Sequence, residues 1–229
     1  MAESGSSRSR RARTPSRPAK DVQSGRLSGR PGEENPPPPD IELPEPEGDG
    51  STPAVQSLDI NIIRVGVENF TSNDELEISN AINITRSIFS NVQINLRTVS
   101  NFQISLSDAG SNAVIDNESE AKDVTNDWSV DNDALDVFVV RAMTDADGRS
   151  PVDGNCDKDV NKEMTGSVVS LNGDSANVGN TLAHEIGHYL GLDHVPDSGN
   201  FIGGNGSSDS WTGIFAWQGN IMRTHCFVG

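Results

Sequence analysis

The sequence holds no apolar run long enough to cross a bilayer. Its longest, ALDVFVV at 134–140, falls far short of the roughly 20 residues a spanning helix needs, so no membrane association is expected. Aromatic residues make up only 5% of the chain and apolar residues 33%, so a core is feasible if part of the chain is a polar tail. Lysine is nearly missing from most of the chain: residues 31–229 contain only Lys122, Lys158 and Lys162. Overall, 17 Lys and Arg face 34 Asp and Glu, a formal net charge of −17. Eight of the cations lie within residues 1–30. The remainder is so anionic that it repels nucleic acid, and such an Asp-rich, Lys-poor balance suits high salt, which screens self-repulsion. There are two cysteines, Cys156 and Cys226. In an exported protein they could pair, and in a reducing compartment they would stay thiols. Histidine is also scarce, yet three of the four histidines fall within TLAHEIGHYLGLDHV, residues 181–195.

Organisation changes near residue 56. Residues 1–55 read as a disordered tail, basic in SGSSRSRRARTPSRPAK and rich in proline and acid in ENPPPPDIELPEPEGDG, without the apolar periodicity that offsets ordering entropy. The Arg10–Arg11 pair is followed by no apolar segment, so no signal peptide is assigned. Beyond the tail, SLDINIIRVGV reads as a strand, and SNDELEISNAINITRSIFSNV as a helix capped by Ser72 or Asn73. VQINLRTV is a second strand, which completes a parallel βαβ unit. FQISL and AVI are short strand candidates among Asp, Asn and Ser. ALDVFVVRAM (134–143) is a strand buried on both faces, and GSVVSLN (166–172) is a strand at an edge. A helix is expected over 181–190. Residues 195–229 show little periodicity, and the chain has no internal repeat.

His184 and His188 are four apart, so on a helix their rings project from one face, one turn apart. Both imidazoles can then reach one metal at about 2.0–2.1 Å. Glu185 sits roughly 100° further round, off the metal but within reach of a water held there. Gly191 can take the left-handed conformation that ends a helix and turns the chain back, which brings His194 to the same ion. Three neutral imidazoles with one open position are the arrangement of a catalytic rather than a structural zinc. The motif is H-E-x-x-H extended to H-E-x-x-H-x-x-G-x-x-H, with two histidines as ligands and the glutamate as general base.

HEIGHYLGLDH resembles the long zinc signature of the metzincin clan of metalloendopeptidases at every fixed position. GNIMRTH, with Met222, resembles the clan's methionine turn. Within the clan the wording is most similar to pappalysin-type or stand-alone bacterial and archaeal members. Thr224 stands where some branches carry a tyrosine ligand, and the tail has no cysteine for a cysteine switch.

The resemblance implies an α/β fold with a twisted, mainly parallel five-stranded sheet and a zinc-binding helix. The catalytic domain would span 56–229, with an N-terminal subdomain to residue 194 and a small loop-rich C-terminal subdomain over 195–229. It implies zinc held by His184, His188 and His194, and Glu185 as catalytic base. Met222 and Gly191 would give structural support. The expected activity is hydrolysis of peptide bonds in proteins or peptides by a secreted monomer. The alternatives are a zinc-holding adhesion module without turnover, or a zymogen inhibited by its tail.

Other candidates are weaker. Asp145, Asp147, Asp153, Asp157 and Asp159 crowd one loop that could take calcium, although the spacing is not that of an EF-hand and a solvated acidic loop reads better. A Cys156–Cys226 bond would close a loop of about 70 residues, worth roughly 2–4 kcal/mol. Asp193 and Asp197 flank the third histidine and could orient the rings. His225 is expected to be a surface or packing histidine.

Overall fold

The computed structural model describes residues 54–160, 163–203 and 212–229. The tail expected over 1–55 lies almost wholly outside this range. The main sheet has the order β2-β1-β4-β7-β6. Its strands are β1 (Gln56–Val65), β2 (Ile94–Ile104), β4 (Leu135–Val140), β7 (Ser167–Ser170) and β6 (Gly148–Arg149). The first four are parallel, and β6 pairs antiparallel with β7. A two-stranded sheet joins β3 (Val114–Ile115) to β5 (Ala142–Met143). The expected five-stranded, mainly parallel α/β sheet is present.

Each sheet face has its own core, because alternate strand residues point to opposite sides. Ile60, Ile62, Val137 and Val139 face α1 (Ser72–Ser90) and α4 (Ser175–Tyr189). Ile63, Val65, Phe138 and Val140 face α3 (Glu118–Asp127). Each fully buried Ile or Phe contributes about 1.5–3 kcal/mol. β4 is buried at all six positions, as its near-continuous apolar run requires. The short helices α2 (Leu106–Ala109) and α5 (Ala216–Met222) complete the list. Among the described residues, no helix is long and apolar enough to cross a membrane.

Four expectations need correction. The first helix is capped by Thr71, whose side chain and Asp74 form a reciprocal capping box; Ser72 and Asn73 lie inside the helix. VQINLRTV and FQISL are one continuous strand, β2. β7 is not an edge: the two-residue β6 covers it, too short to show an alternating pattern. α4 begins at Ser175, well before 181. Asp174 caps it by accepting from the Ala176 and Asn177 amides at 2.9 and 3.4 Å.

The placement of α4 determines where the histidines go. Buried Glu77 of α1 accepts from the Asn172 and Gly173 amides at 3.2 and 2.9 Å, which fixes the turn into α4. Gly179 lets the helix approach α1 closely, since a Cβ there would lie 2.7 Å from Ile84 Cβ.

Candidate metal centre

α4 ends in a Schellman turn. The Leu192 amide bonds to the Gly187 carbonyl at 3.0 Å, and the Gly191 amide to that of His188 at 2.9 Å. Gly191 has φ +98, a region L side chains avoid. Gly191→Ala should therefore destabilise the fold by about 1–2 kcal/mol and press a methyl against Ile221, 3.3 Å away. Denaturant unfolding checks this; an unchanged midpoint would count against the turn's role.

The turn reverses the chain and brings His194 back over the helix. The three Nε2 atoms then form a small triangle: His184–His188 at 2.9 Å, and His194 at 3.1 Å from each. Two of the rings are held from behind by backbone carbonyls. His184 Nδ1 donates to Phe201 O at 2.9 Å, and His188 Nδ1 to Leu192 O at 2.6 Å. Phe201 is fixed in turn, fully buried, with its ring edge-on to Phe89. Asp193 and Asp197 do not orient these rings: Asp193 is exposed, and Asp197 accepts from the Gly199 amide.

This arrangement fits a divalent cation. A carbonyl only accepts, so His184 and His188 carry their protons on Nδ1 and turn Nε2 lone pairs toward each other. Two lone pairs at 2.9 Å repel unless a cation lies between them, and a zinc–imidazole bond of about 2.0–2.1 Å reaches all three nitrogens. Protonation of His184 and His188 is disfavoured. Burial, then the charge of His188, lowers the His184 pKa to about 4, and burial lowers that of His188.

Glu185 is buried beside this triangle, only 7% exposed. Burial pushes its pKa up to about 8, opposed by the charge of Arg149. The backbone of β6 lies directly against it: a Cβ on Gly148 would be 2.6 Å from Glu185 Cγ. Nothing in the sequence drew attention to Gly148, because the contact joins a two-residue strand to a helix more than thirty residues away. Both groups line a cleft of about 1200 Å³ with the three histidines.

The opposite wall is tied to the end of α4. The Asp153 and Gly154 amides donate to the carbonyls of His188 and Tyr189, and Tyr189 Oη donates to Asn155 O at 2.8 Å. A Cys156–Cys226 disulfide is present, with Cα atoms 6.1 Å apart, and fastens this wall to the segment after Met222. Met222 is fully buried in the core shared with α4. His225 is a packing histidine, buried against Tyr189 and Phe227. Thr224 lines the cleft, and its hydroxyl donates to Ile221 O. Among the described residues, no three carboxylates of the acidic loop converge. Asp145 pairs with Arg149, and Asp157 caps the Asp159 amide.

A family profile, Metallo-peptidase family M12B Reprolysin-like, matches residues 76–195, just over half of the chain. The chain belongs to that family. It is thus a metzincin-clan zinc metallopeptidase. Two solved structures share its fold. Metalloproteinase-II from Bacteroides fragilis has a TM-score of 0.52 and 17% identity, over 77% of this chain and 55% of that one. Archaemetzincin from Methanopyrus kandleri has a TM-score of 0.50 and 15% identity, over 74% of this chain and 95% of that one. The metallopeptidase therefore spans only about half the length of the Bacteroides protein. No curated protein matches the chain.

Proposed function

We propose that the metallopeptidase is an endopeptidase in which His184, His188 and His194 hold zinc and Glu185 is the general base. The observation that carries this reading is the triangle of Nε2 atoms at 2.9–3.1 Å with the buried Glu185 beside it in an open cleft. Zinc supplies Lewis-acid activation of water and of the scissile carbonyl. Glu185 takes the water's proton during attack and delivers it to the leaving amine. β6 presents one edge to the cleft while β7 occupies the other, so an extended peptide adds to the sheet as a further strand. Such a site suits peptides and unfolded or looped segments of proteins. The disulfide agrees with an exported protein, and a monomer accounts for the complete site within one chain.

The test combines zinc analysis with cleavage of a mixed peptide library. One zinc per chain is expected, with cleavage abolished by chelator and restored by zinc. Internal cuts would mark an endopeptidase. Cleavage indifferent to chelator would defeat the reading, and stoichiometric zinc without cleavage would favour the adhesion-module alternative.

The pH profile follows from Glu185. The base works only when ionised, so activity falls as pH drops through its pKa. Burial, opposed by the charge of Arg149, raises that pKa to about 8, and a bound cation draws it back down. The acid limb of kcat/KM should therefore lie between the ordinary glutamate value of 4.5 and about 8. A limb below that window would place a different group in the role.

A further inference from the structure

Asn180 lies four residues before His184 on α4 and lines the same cleft. It is only 6% exposed, and its Oδ1 is buried without a hydrogen-bond donor. Buried polar atoms are almost always paired. The Asn180 side chain belongs to the cleft wall, so a small turn of its amide would offer this unpaired oxygen to a ligand N–H.

The charge around the cleft indicates which donor. Glu118, Asp147, Asp153 and Glu163 line it besides Glu185, against two cations, Lys122 and Arg149. Lys122 pairs with Glu118 at 2.7 Å and Arg149 with Asp145 at 2.5 Å, while Arg149 Nε is buried without an acceptor. Among the described residues, no cation pairs with Asp147, Asp153 or Glu163. A concave site with uncompensated carboxylates on its rim raises the local concentration of positive charge.

We propose that the part of the cleft beside the N-terminal half of α4 is a subsite for a basic side chain of the substrate, lysine or arginine, with Asn180 Oδ1 accepting its hydrogen bond. The proposal rests on the cleft being the peptide-binding site. It adds which peptides are preferred: those with a basic residue close to the scissile bond. The carboxylates along the cleft draw the charge in, and Asn180 fixes the position of the N–H.

Binding is measured separately from turnover, with the full chain carrying Glu185→Ala and loaded with zinc. The probes are fluorescent peptides in which each position flanking the scissile bond is in turn lysine, norleucine or glutamate. At one position lysine should bind about tenfold or more tighter than norleucine, the weight of a charge-assisted hydrogen bond. Glutamate should bind weaker still, and the lysine advantage should shrink as salt rises. Asn180→Leu should remove most of that advantage. Asn180→Asp, nearly isosteric, should widen it, and it carries the test if leucine disturbs the packing. Equal binding of lysine and norleucine at every position would overturn the proposal. So would a preference for glutamate, or a lysine advantage unchanged in both variants. The expected preference in a protein whose wild type cleaves nothing would support the subsite and defeat only the peptidase reading.

Discussion

Glu185→Ala should lower kcat/KM by roughly 10²–10⁴-fold, the typical contribution of a general base, while the protein keeps its zinc. The separation follows from the geometry. The three Nε2 atoms converge without Glu185, and the carbonyls that hold the rings belong to Phe201 and Leu192. His188→Ala should behave differently. It removes one corner of the triangle and leaves the buried Leu192 carbonyl without its donor, so zinc and activity go together. Metal content measured beside peptide cleavage tells the two apart. Near-normal turnover by Glu185→Ala would remove the glutamate from the mechanism.

Stability gives a second readout, free of catalysis. In the metal-free protein the Glu185 pKa is raised from 4.5 to about 8 by burial. A group with a raised folded pKa contributes stability that is fully present below its unfolded value and is lost as pH rises through the folded one. The wild-type apoprotein should therefore weaken between about pH 4.5 and 8 for a reason Glu185→Ala lacks. The melting-temperature gap between them should shift in the variant's favour across that range. A gap that does not change with pH would mean the carboxylate is solvated.

The metal centre was legible in the sequence because its parts are local. Four-residue spacing sets two histidines on one helical face, and a glycine able to take positive φ brings the third within reach, so one turn of helix and one turn of chain suffice. The parallel sheet was legible for a similar reason: Ile60, Ile62 and Ile63 in β1, and β4 apart from Asp136, are apolar runs of a kind that only a sheet covered on both faces absorbs. What could not be read depends on pairing across the chain. β6 has two residues and no pattern of its own, so in the sequence GSVVSLN reads as the edge that β6 in fact forms. The start of α4 was hidden because Gly179 and Asn180 interrupt the apolar stripe of Val178 and Leu182. The oxygens that orient the imidazoles are backbone carbonyls, which leave no mark on residue identity, whereas Asp193 is exposed and Asp197 accepts from the Gly199 amide. α3 was missed because, in ESEAKDVTND, only Ala121, Val124 and Thr125 are buried.

Gly148→Ala is the second substitution expected to have a large effect, and it tests whether the edge strand positions the base. The added methyl carbon would stand 2.6 Å from Glu185 Cγ, 2.7 Å from Oε1 and 2.9 Å from Cδ, distances at which something must move. Either the glutamate swings away or β6 lifts off Val169, its partner in β7. Both displace the carboxylate relative to the histidines, and a shift of about 1 Å can cost 10²-fold in rate. Overpacking should also cost about 1–3 kcal/mol of stability. Zinc should stay, since none of the three imidazoles is touched. The decisive comparison is a double-mutant cycle. In a Glu185→Ala background the clashing atoms are gone and the methyl group enters the space they leave. Gly148→Ala should then cost little further turnover, and most of its stability penalty should vanish. An equal penalty in both backgrounds would show that the glycine serves the strand and not the glutamate.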